Sequence, residues 1–478
     1  MKIGIIAPLA TVAPHFETEL ELAQRHLDAG DRVEMLACMG ALPCCDFNAT
    51  REPKQCGSCA GRRNAGLKLL DRRVTLIPLE SAAVTDSIPP DAFDSIEALK
   101  EFRIEQFDVG YAALSSLVSI CRDPQPDLQV HRVLLGRLLN AALTTYRQTL
   151  SYCRSQRPDR VYVFNGRFAA TRAVLRACQS LGIECWIHER GCDVNHFQVF
   201  ENRLPHDIEY MQQRMRAAWQ SAQTNPNREA IASSWFTDRS QRIERNWHSF
   251  VKDQIQGRLP KDWNPANRNI TVFTSSEDEF ASIGDSWRNL LYSDQASALR
   301  RIIADLPKLD DRVRLFVRVH PNLKDVNNEN VRALLQTSGP RVTVIAPEDS
   351  VDSYELLRRS DTIVTFGSST GIEAVYWERP SILLGACFYR GFPGVHQPSS
   401  HEQAIAMLNT ELKPAADKSG ALMYGYWFQT HGERFKYFEA TGLFEGRFRG
   451  QIVFDQTRKA RLIRIAEKIK RWVGKRAA

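Results

Sequence analysis

The sequence predicts an α/β protein built from two doubly wound parallel sheets, and three observations carry that reading. The chain opens on a strand–helix–strand unit over residues 2–38, and a second such unit spans 160–188. After a polar stretch at 262–268 the pattern restarts, with strands at 269–273, 313–319, 341–345, 361–366 and 381–384. At 478 residues the chain is too long for one ordinary domain and suits two. We expect a first domain over 1–265, a second over 266–425, and closing helices over 426–478 that pack back on the first domain.

Each element has its own signal. Residues 2–7 form an apolar strand, and Phe16, Leu20, Ala23 and Leu27 recur at helical spacing until Gly30 stops the helix. The next segment carries Cys38, Cys44, Cys45, Cys56 and Cys59. Cys56-Gly-Ser-Cys59 has the gap of a zinc knuckle, and Cys44 and Cys45 offer further thiolates, so the segment reads either as a structural zinc site or as a loop of buried reduced thiols. Residues 81–130 are irregular, punctuated by Pro and Asp, with helical pieces, and read as an insertion near the cleft or a cover. Residues 133–153 form a long amphipathic helix. In the second unit Asn165-Gly-Arg167 is a turn, and Glu189-Arg-Gly191 follows the strand at 183–188. Residues 202–263 are polar and helical, and Glu277-Asp-Glu279 reads as a polar loop.

Composition narrows the function class. A hydrophobic content of 43% with 25% charged residues describes a globular protein with a sizeable core. The opening apolar run is too short for a leader, and none is long enough to span a bilayer, so the expectation is a cytoplasmic protein whose 11 cysteines are mostly reduced. The net charge of +7 is concentrated after residue 457, which leaves the body at about −1 and argues against a nucleic-acid surface. In that tail Leu462, Ile465, Ala466, Ile469, Trp472 and Val473 share one helical face among basic residues. This is the pattern of a helix that lies on an anionic membrane, here the inner face of the plasma membrane, or packs back on the first domain.

The stretch 360–384 organises the second domain. A short β-branched strand is broken by Gly367, and Ser368, Ser369 and Thr370 then lead into a helix. Thr370-Gly-Ile-Glu373 has the spacing of a capping box, and hydroxyls beside free N–H groups suit a phosphate. Glu373 either caps that helix or takes ribose hydroxyls. His320, following the strand at 313–319, is placed to hydrogen-bond a phosphate leaving group or, when charged, to neutralise it. Glu189 is a carboxylate at a strand end that can deprotonate an acceptor hydroxyl, with His188 and Asp193 as substitutes. Asn165, Arg167 and Arg190 lie at the same edge and suit an anionic acceptor or donor.

Arg318-Val-His-Pro-Asn322, taken with residues 361–380, resembles the C-terminal domain of GT-B glycosyltransferases. It is nearest the capsular-polysaccharide group that includes bacterial Kdo transferases, with short motifs similar to those of bacterial sialyltransferases. The resemblance implies two Rossmann-like domains facing a central cleft. It also implies inverting, metal-independent transfer from a CMP-, UDP-, GDP- or CDP-linked sugar to a surface polysaccharide or lipid-linked glycan. It carries the base role to Glu189 with Gly191, and the holding of the nucleotide's phosphate to His320 with Pro321 and Ser368 with Ser369; with their loop neighbours the expected nucleotide-sugar site is Arg318, His320, Pro321, Asn322, Gly367, Ser368, Ser369, Thr370 and Glu373. Arg190 stands where the pattern often has a second acid. No cofactor is then required for chemistry, and zinc is at most structural. A GT-B nucleotide-sugar epimerase and a non-catalytic, membrane-associated sugar-nucleotide-binding protein are the rival readings.

Overall fold

The computed structural model describes residues 1–71, 74–80, 88–89 and 93–453. The first sheet contains β1 (Lys2–Ala7), β2 (Arg32–Ala37), β3 (Thr75–Pro78), β4 (Arg160–Phe164), β5 (Glu184–Arg190) and β6 (His196–Glu201). Strands β1 to β5 pair in parallel in the order β3-β2-β1-β4-β5, and β6 returns antiparallel along β5. Ile5 stands opposite Met35 on one side and Tyr162 on the other. Helices α1 (His15–Asp28), α2 (Pro53–Leu67), α3 (Ile96–Glu101), α4 (Val109–Cys121), α5 (Arg132–Gln156), α6 (Ala169–Leu181), α7 (Ile208–Ser221) and α8 (Arg228–Ser240) follow in chain order. Ile3, Ile5 and Ile6 are all fully buried, as expected of a strand in a parallel sheet covered on both faces.

The second sheet contains β7 (Arg268–Phe273), β8 (Val313–Arg318), β9 (Val342–Ile345), β10 (Thr362–Thr365), β11 (Ser381–Leu383) and β12 (Val395–His396). All are parallel, in the order β9-β8-β7-β10-β11-β12. Its helices are α9 (Gln295–Asp305), α10 (Glu329–Leu335), α11 (Ser353–Arg359), α12 (Thr370–Tyr376), α13 (His401–Asn409) and α14 (Ser419–Thr430). In each sheet the strand order reverses beside its first strand, between β1 and β4 and between β7 and β10. Loops leaving the carboxyl ends diverge at such a point and open a crevice. The two Rossmann-like domains face each other across it, which is the GT-B arrangement.

Helices α7, α8 and α14 bridge the domains. Trp235 and Phe236 of α8 and Tyr424 and Trp427 of α14 share one apolar core with Ile372 and Val375 of α12. The chain then returns to the first domain. β13 (Glu433–Arg434) pairs antiparallel with β6, and the hairpin β14 (Phe438–Gly442) and β15 (Glu445–Phe448) buries Phe438 and Phe448 with Phe16 and Leu20 of α1. Residues 454–478, with the basic amphipathic tail, lie outside the described residues.

Three local expectations are corrected and one is filled in. The Cys56–Cys59 pair sits inside α2, which begins with Pro53 at a position where a missing N–H costs nothing. The helical pieces expected within residues 81–130 include α4, buried without interruption from Val109 to Val118 and therefore apolar all round. Glu277–Glu279 is a 3-10 turn that buries Asp278, not a solvated loop. The Thr370–Glu373 capping box does not form: the cap is Ser369, without a side-chain cap bond, and Glu373 is engaged elsewhere.

Candidate functional site

A cleft of about 880 Å³ lies between the domains, at the reversal point of the second sheet. Three loops form its second-domain wall. The loop after β7 brings Thr274, Ser276 and Glu279; the loop after β8 brings His320, Pro321 and Asn322; the loop after β10 brings Gly367, Ser368, Ser369 and Thr370. Gly367 has φ +132, and a Cβ there would meet the Ala386 carbonyl at 2.8 Å, so only glycine lets the chain turn here. Ser368 and Thr370 pair their hydroxyls at 3.0 Å.

His320 is fixed at both backbone and ring. Its N–H donates to Thr274 Oγ1 at 3.0 Å, and its Nδ1 accepts the Asn322 N–H at 3.1 Å. A ring that accepts at Nδ1 carries its proton on Nε2 when neutral. Burial, with Arg318 adding to it, pushes His320 down to about 4, so at neutral pH it is a donor and not a cation. That corrects its expected role as a charged neutraliser. Asn322 turns its amide to Glu279 Oε1 at 2.7 Å. Arg318 lines the same wall but is 1% exposed, and its guanidinium donates to the carbonyls of Ala346 and Asp349.

The cation of this wall comes from α8. Arg239 Nη2 donates to Ser369 Oγ at 3.0 Å, and its Nε donates to Glu373 Oε1 at 3.2 Å. The guanidinium lies over the Trp235 ring, one helical turn earlier. Glu373 is 2% exposed and also accepts from Tyr354 at 2.7 Å and from Ser369 at 3.0 Å. With those partners it does not cap its helix. It holds Arg239, whose side chain stays 42% exposed toward the cleft. Ser369 is consumed by the same network, so Ser368 and Thr370 are the hydroxyl pair left for a ligand.

On the first-domain wall Asn165 and Arg167 line the cleft, and Glu189 stands behind them. Asn165 Nδ2 donates to Glu189 Oε1 at 2.5 Å, and burial pushes the Glu189 carboxyl up. Arg167 donates to the Glu279 carbonyl at 2.6 Å, tying the two walls together. Glu279 opens into the cleft itself; enclosure there, with Asp278 beside it, pushes its carboxyl up. Arg190 is corrected: it donates to the carbonyls of Asn246, Leu443 and Ala13 and packs between Trp247 and Phe444, so it binds loops together and not an anion. Gly191 is required because a Cβ would meet His196 at 2.6 Å. Of the substitute bases, His188 is fully buried, and Asp193 is held by His196 at 2.6 Å.

The expected zinc ligands do not form the expected set. Cys44 is built into the first core, and no three of Cys44, Cys45, Cys56 and Cys59 gather their sulfurs within 4.8 Å. Among the described residues the trio that does gather is Cys192, Asp193 and His196. Sequence reasoning missed Arg239, Glu279 and Tyr354. The four-residue step from Trp235 to Arg239 was a readable sign that both share a helix face, but nothing local says that this face meets Ser369.

Comparison with known proteins gives one sequence match: residues 290–422 match the family of capsule polysaccharide biosynthesis proteins. This stretch contains His320 and the Gly367–Thr370 turn. No curated protein matches the chain. Among solved structures, the β-Kdo 2,4-transferase KpsC of Thermosulfurimonas dismutans is 14% identical, with 56% of this chain and 79% of that chain covered at a TM-score of 0.37. The UDP-GlcNAc 2-epimerase of Methanocaldococcus jannaschii is 11% identical, covering 89% and 98% at 0.26. The spinosyn rhamnosyltransferase SpnG is 13% identical, covering 90% and 97% at 0.27. Structural likeness this low says nothing of activity.

Proposed function

We propose that the protein is a glycosyltransferase of capsule polysaccharide assembly, moving a sugar from a nucleotide-sugar donor to a glycan or lipid-linked acceptor. One observation carries the reading. His320, the Ser368–Thr370 hydroxyl pair and Arg239 converge at the reversal point of a Rossmann-like sheet, inside a cleft that a second such domain closes. This is a set of donors for a phosphate that gains charge as its bond to the sugar breaks. Arg239 supplies the positive charge, Ser368 and Thr370 donate through oxygen, and neutral His320 donates through Nε2. Glu373 and Tyr354 fix Arg239 in place beforehand, so little reorganisation accompanies the step.

The acceptor enters where the loop after β7 meets Arg167 of the first domain, beside the phosphate wall. A base must come within hydrogen-bond reach of the hydroxyl it activates. Glu279 is the carboxylate that the cleft exposes, whereas Glu189 lies behind Asn165. We therefore place the base role on Glu279 and assign Glu189 to positioning Asn165. Direct attack by the activated hydroxyl inverts the sugar carbon, and none of these steps routes through a metal. A second concavity of about 1550 Å³ shares His206, Phe280, Ile283 and Trp287 with the cleft, which gives room for a long acceptor. No helix among the described residues is long and apolar enough to cross a membrane. The basic tail is our proposed means of holding a cytoplasmic enzyme against an anionic leaflet.

The test is incubation with radiolabelled CMP-, CDP-, UDP- and GDP-sugars and a lipid-linked acceptor. Label should pass to the acceptor from one donor. Turnover of donor to an epimer without acceptor would favour the epimerase reading, and nucleotide binding with neither outcome would favour a non-catalytic protein.

A further inference from the structure

The carboxylate assigned as base is held by a residue of the other domain. Arg122 closes α4 in the left-handed conformation, at φ 55 and ψ 34, that glycine more often supplies. Helix α4 is buried without interruption from Val109 to Val118, so the core of the first domain fixes where Arg122 stands. Among the described residues its guanidinium nevertheless bonds the second domain alone. Nε donates to the Asp278 carboxylate, and Nη2 donates to Ser276 Oγ and to the Asn322 carbonyl, each at 3.2 Å. The Arg122 carbonyl accepts at 2.7 Å from Nδ2 of Asn328, the residue that caps α10. The side chain stays partly exposed and lines the cleft.

The partners of Arg122 are the groups that fix Glu279. Ser276 Oγ donates to Asp278 Oδ1 at 2.6 Å. Asn322 Nδ2 reaches both Ser276 Oγ, at 3.4 Å, and Glu279 Oε1, at 2.7 Å. Asp278 is buried beside Glu279 in the same 3-10 turn, and Arg122 is its ion-pair partner. A buried carboxylate stripped of such a partner is costly. The charged groups that face Glu279 are Asp278 from its own turn, Arg122 from the end of α4 and Arg167 from the loop after β4. Enclosure and Asp278 push the Glu279 carboxyl up, while Arg122 and Arg167 draw it down. Arg167 bonds only the backbone carbonyl of Glu279, whereas Arg122 reaches its side chain through Asn322.

We propose that Arg122 is a positioning residue for Glu279: reaching across from the first domain, it clamps Asp278, Ser276 and Asn322 and through them holds the Glu279 carboxylate in the cleft. Its bearing on transfer rests on Glu279 being the base. The first domain then takes part in the base without supplying the carboxylate. Without Arg122, Asp278 stands uncompensated beside Glu279, and the base keeps its proton to higher pH. An arginine that merely joined the two domains would leave that titration where it is.

The experiment follows Glu279 in the full-length protein in two ways. One is the acid limb of the pH dependence of kcat/KM for transfer. The other is the NMR signal of the isotopically labelled Glu279 carboxyl, identified by its absence in Glu279→Gln. In Arg122→Met both midpoints should rise by about one pH unit, and in Arg122→Lys by less. Replacing Asp278 as well, in an Arg122→Met, Asp278→Asn double variant, should bring them back down toward wild type. Should Arg122→Met fail to fold, the double variant should still titrate higher than Asp278→Asn alone. A Glu279 signal that titrates alike with and without Arg122 would overturn the proposal. If the signal moves as expected but wild-type protein transfers sugar from no donor, the hold of Arg122 on Glu279 stands and the transfer reading fails.

Discussion

Arg239 Nη2 and Glu373 Oε1 stand 3.1 Å apart and join α8 to α12 across the domain boundary. The Glu373 carboxylate is buried and triply bonded, while Arg239 is open to the cleft, so one residue is the anchor and the other is the tool. Glu373→Ala leaves the Tyr354 hydroxyl unpaired in the core and removes the counter-ion of Arg239. Breaking a fully buried pair costs about 3–5 kcal/mol, and solvent at Arg239 brings the expected loss to about 2–3 kcal/mol. Urea denaturation at pH 7 measures it; a change below about 0.5 kcal/mol would show that the pair does not hold these helices.

Arg239→Gln removes the charge and leaves most of the packing. Turnover should fall by about 10²-fold or more, with a smaller change in KM, because the developing phosphate charge exceeds that of the bound donor. Arg239→Lys should recover part of the loss. Steady-state kinetics of the two variants decide the matter, and normal turnover in Arg239→Gln removes Arg239 from the site.

The two carboxylates of the cleft are separated by paired substitutions. Glu279→Gln should bind donor normally and lose transfer by about 10²-fold or more. Glu189→Gln should lose less than about tenfold, since it only reorients Asn165. The reverse order would return the base to Glu189.

Acid should destabilise the protein earlier than carboxylate titration alone would. Burial holds His188 and His206 down to about 3, and His320 and His431 down to about 4, so these rings are neutral in the folded state at pH 5–6. Unfolded, each takes a proton near pH 6.5. At these four sites the unfolded state therefore binds more protons below that pH, and their contribution to stability is lost from about pH 6.5 down toward pH 4. Thermal unfolding between pH 7.5 and 4.5 tests this. Buried carboxyls such as Glu189 and Glu279 are pushed up and act in the opposite sense, so the variant is the readout: His320→Gln should lose less stability than wild type as the pH is lowered through that window, and an identical loss contradicts the burial of this ring.

How legible each feature was in the sequence depends on the range of the interaction that fixes it. Strand–helix alternation is local, so the two sheets could be read from apolar runs such as Ile3–Ile6 and Val313–Val317. The Gly367 turn was readable because a β-branched strand broken by glycine and hydroxyls has few other uses. The role of Arg190 and the capping role of Glu373 were misread because each side chain is engaged by partners distant in sequence, Leu443 for Arg190 and Arg239 for Glu373, and the tie of Arg318 to Ala346 was as little readable. Strand β6 escaped because its place is set by pairing partners outside its own segment, β5 on one side and β13, beyond residue 430, on the other.

Nucleotide binding tests the central claim most directly. Isothermal titration of the full-length protein with CMP, CDP, UDP and GDP should show one of them binding, weakened at least tenfold in His320→Ala and in a Ser368→Ala, Thr370→Ala double variant. Binding of none of the four, or affinity unchanged in both variants, would contradict the assignment of this cleft to a nucleotide-sugar donor.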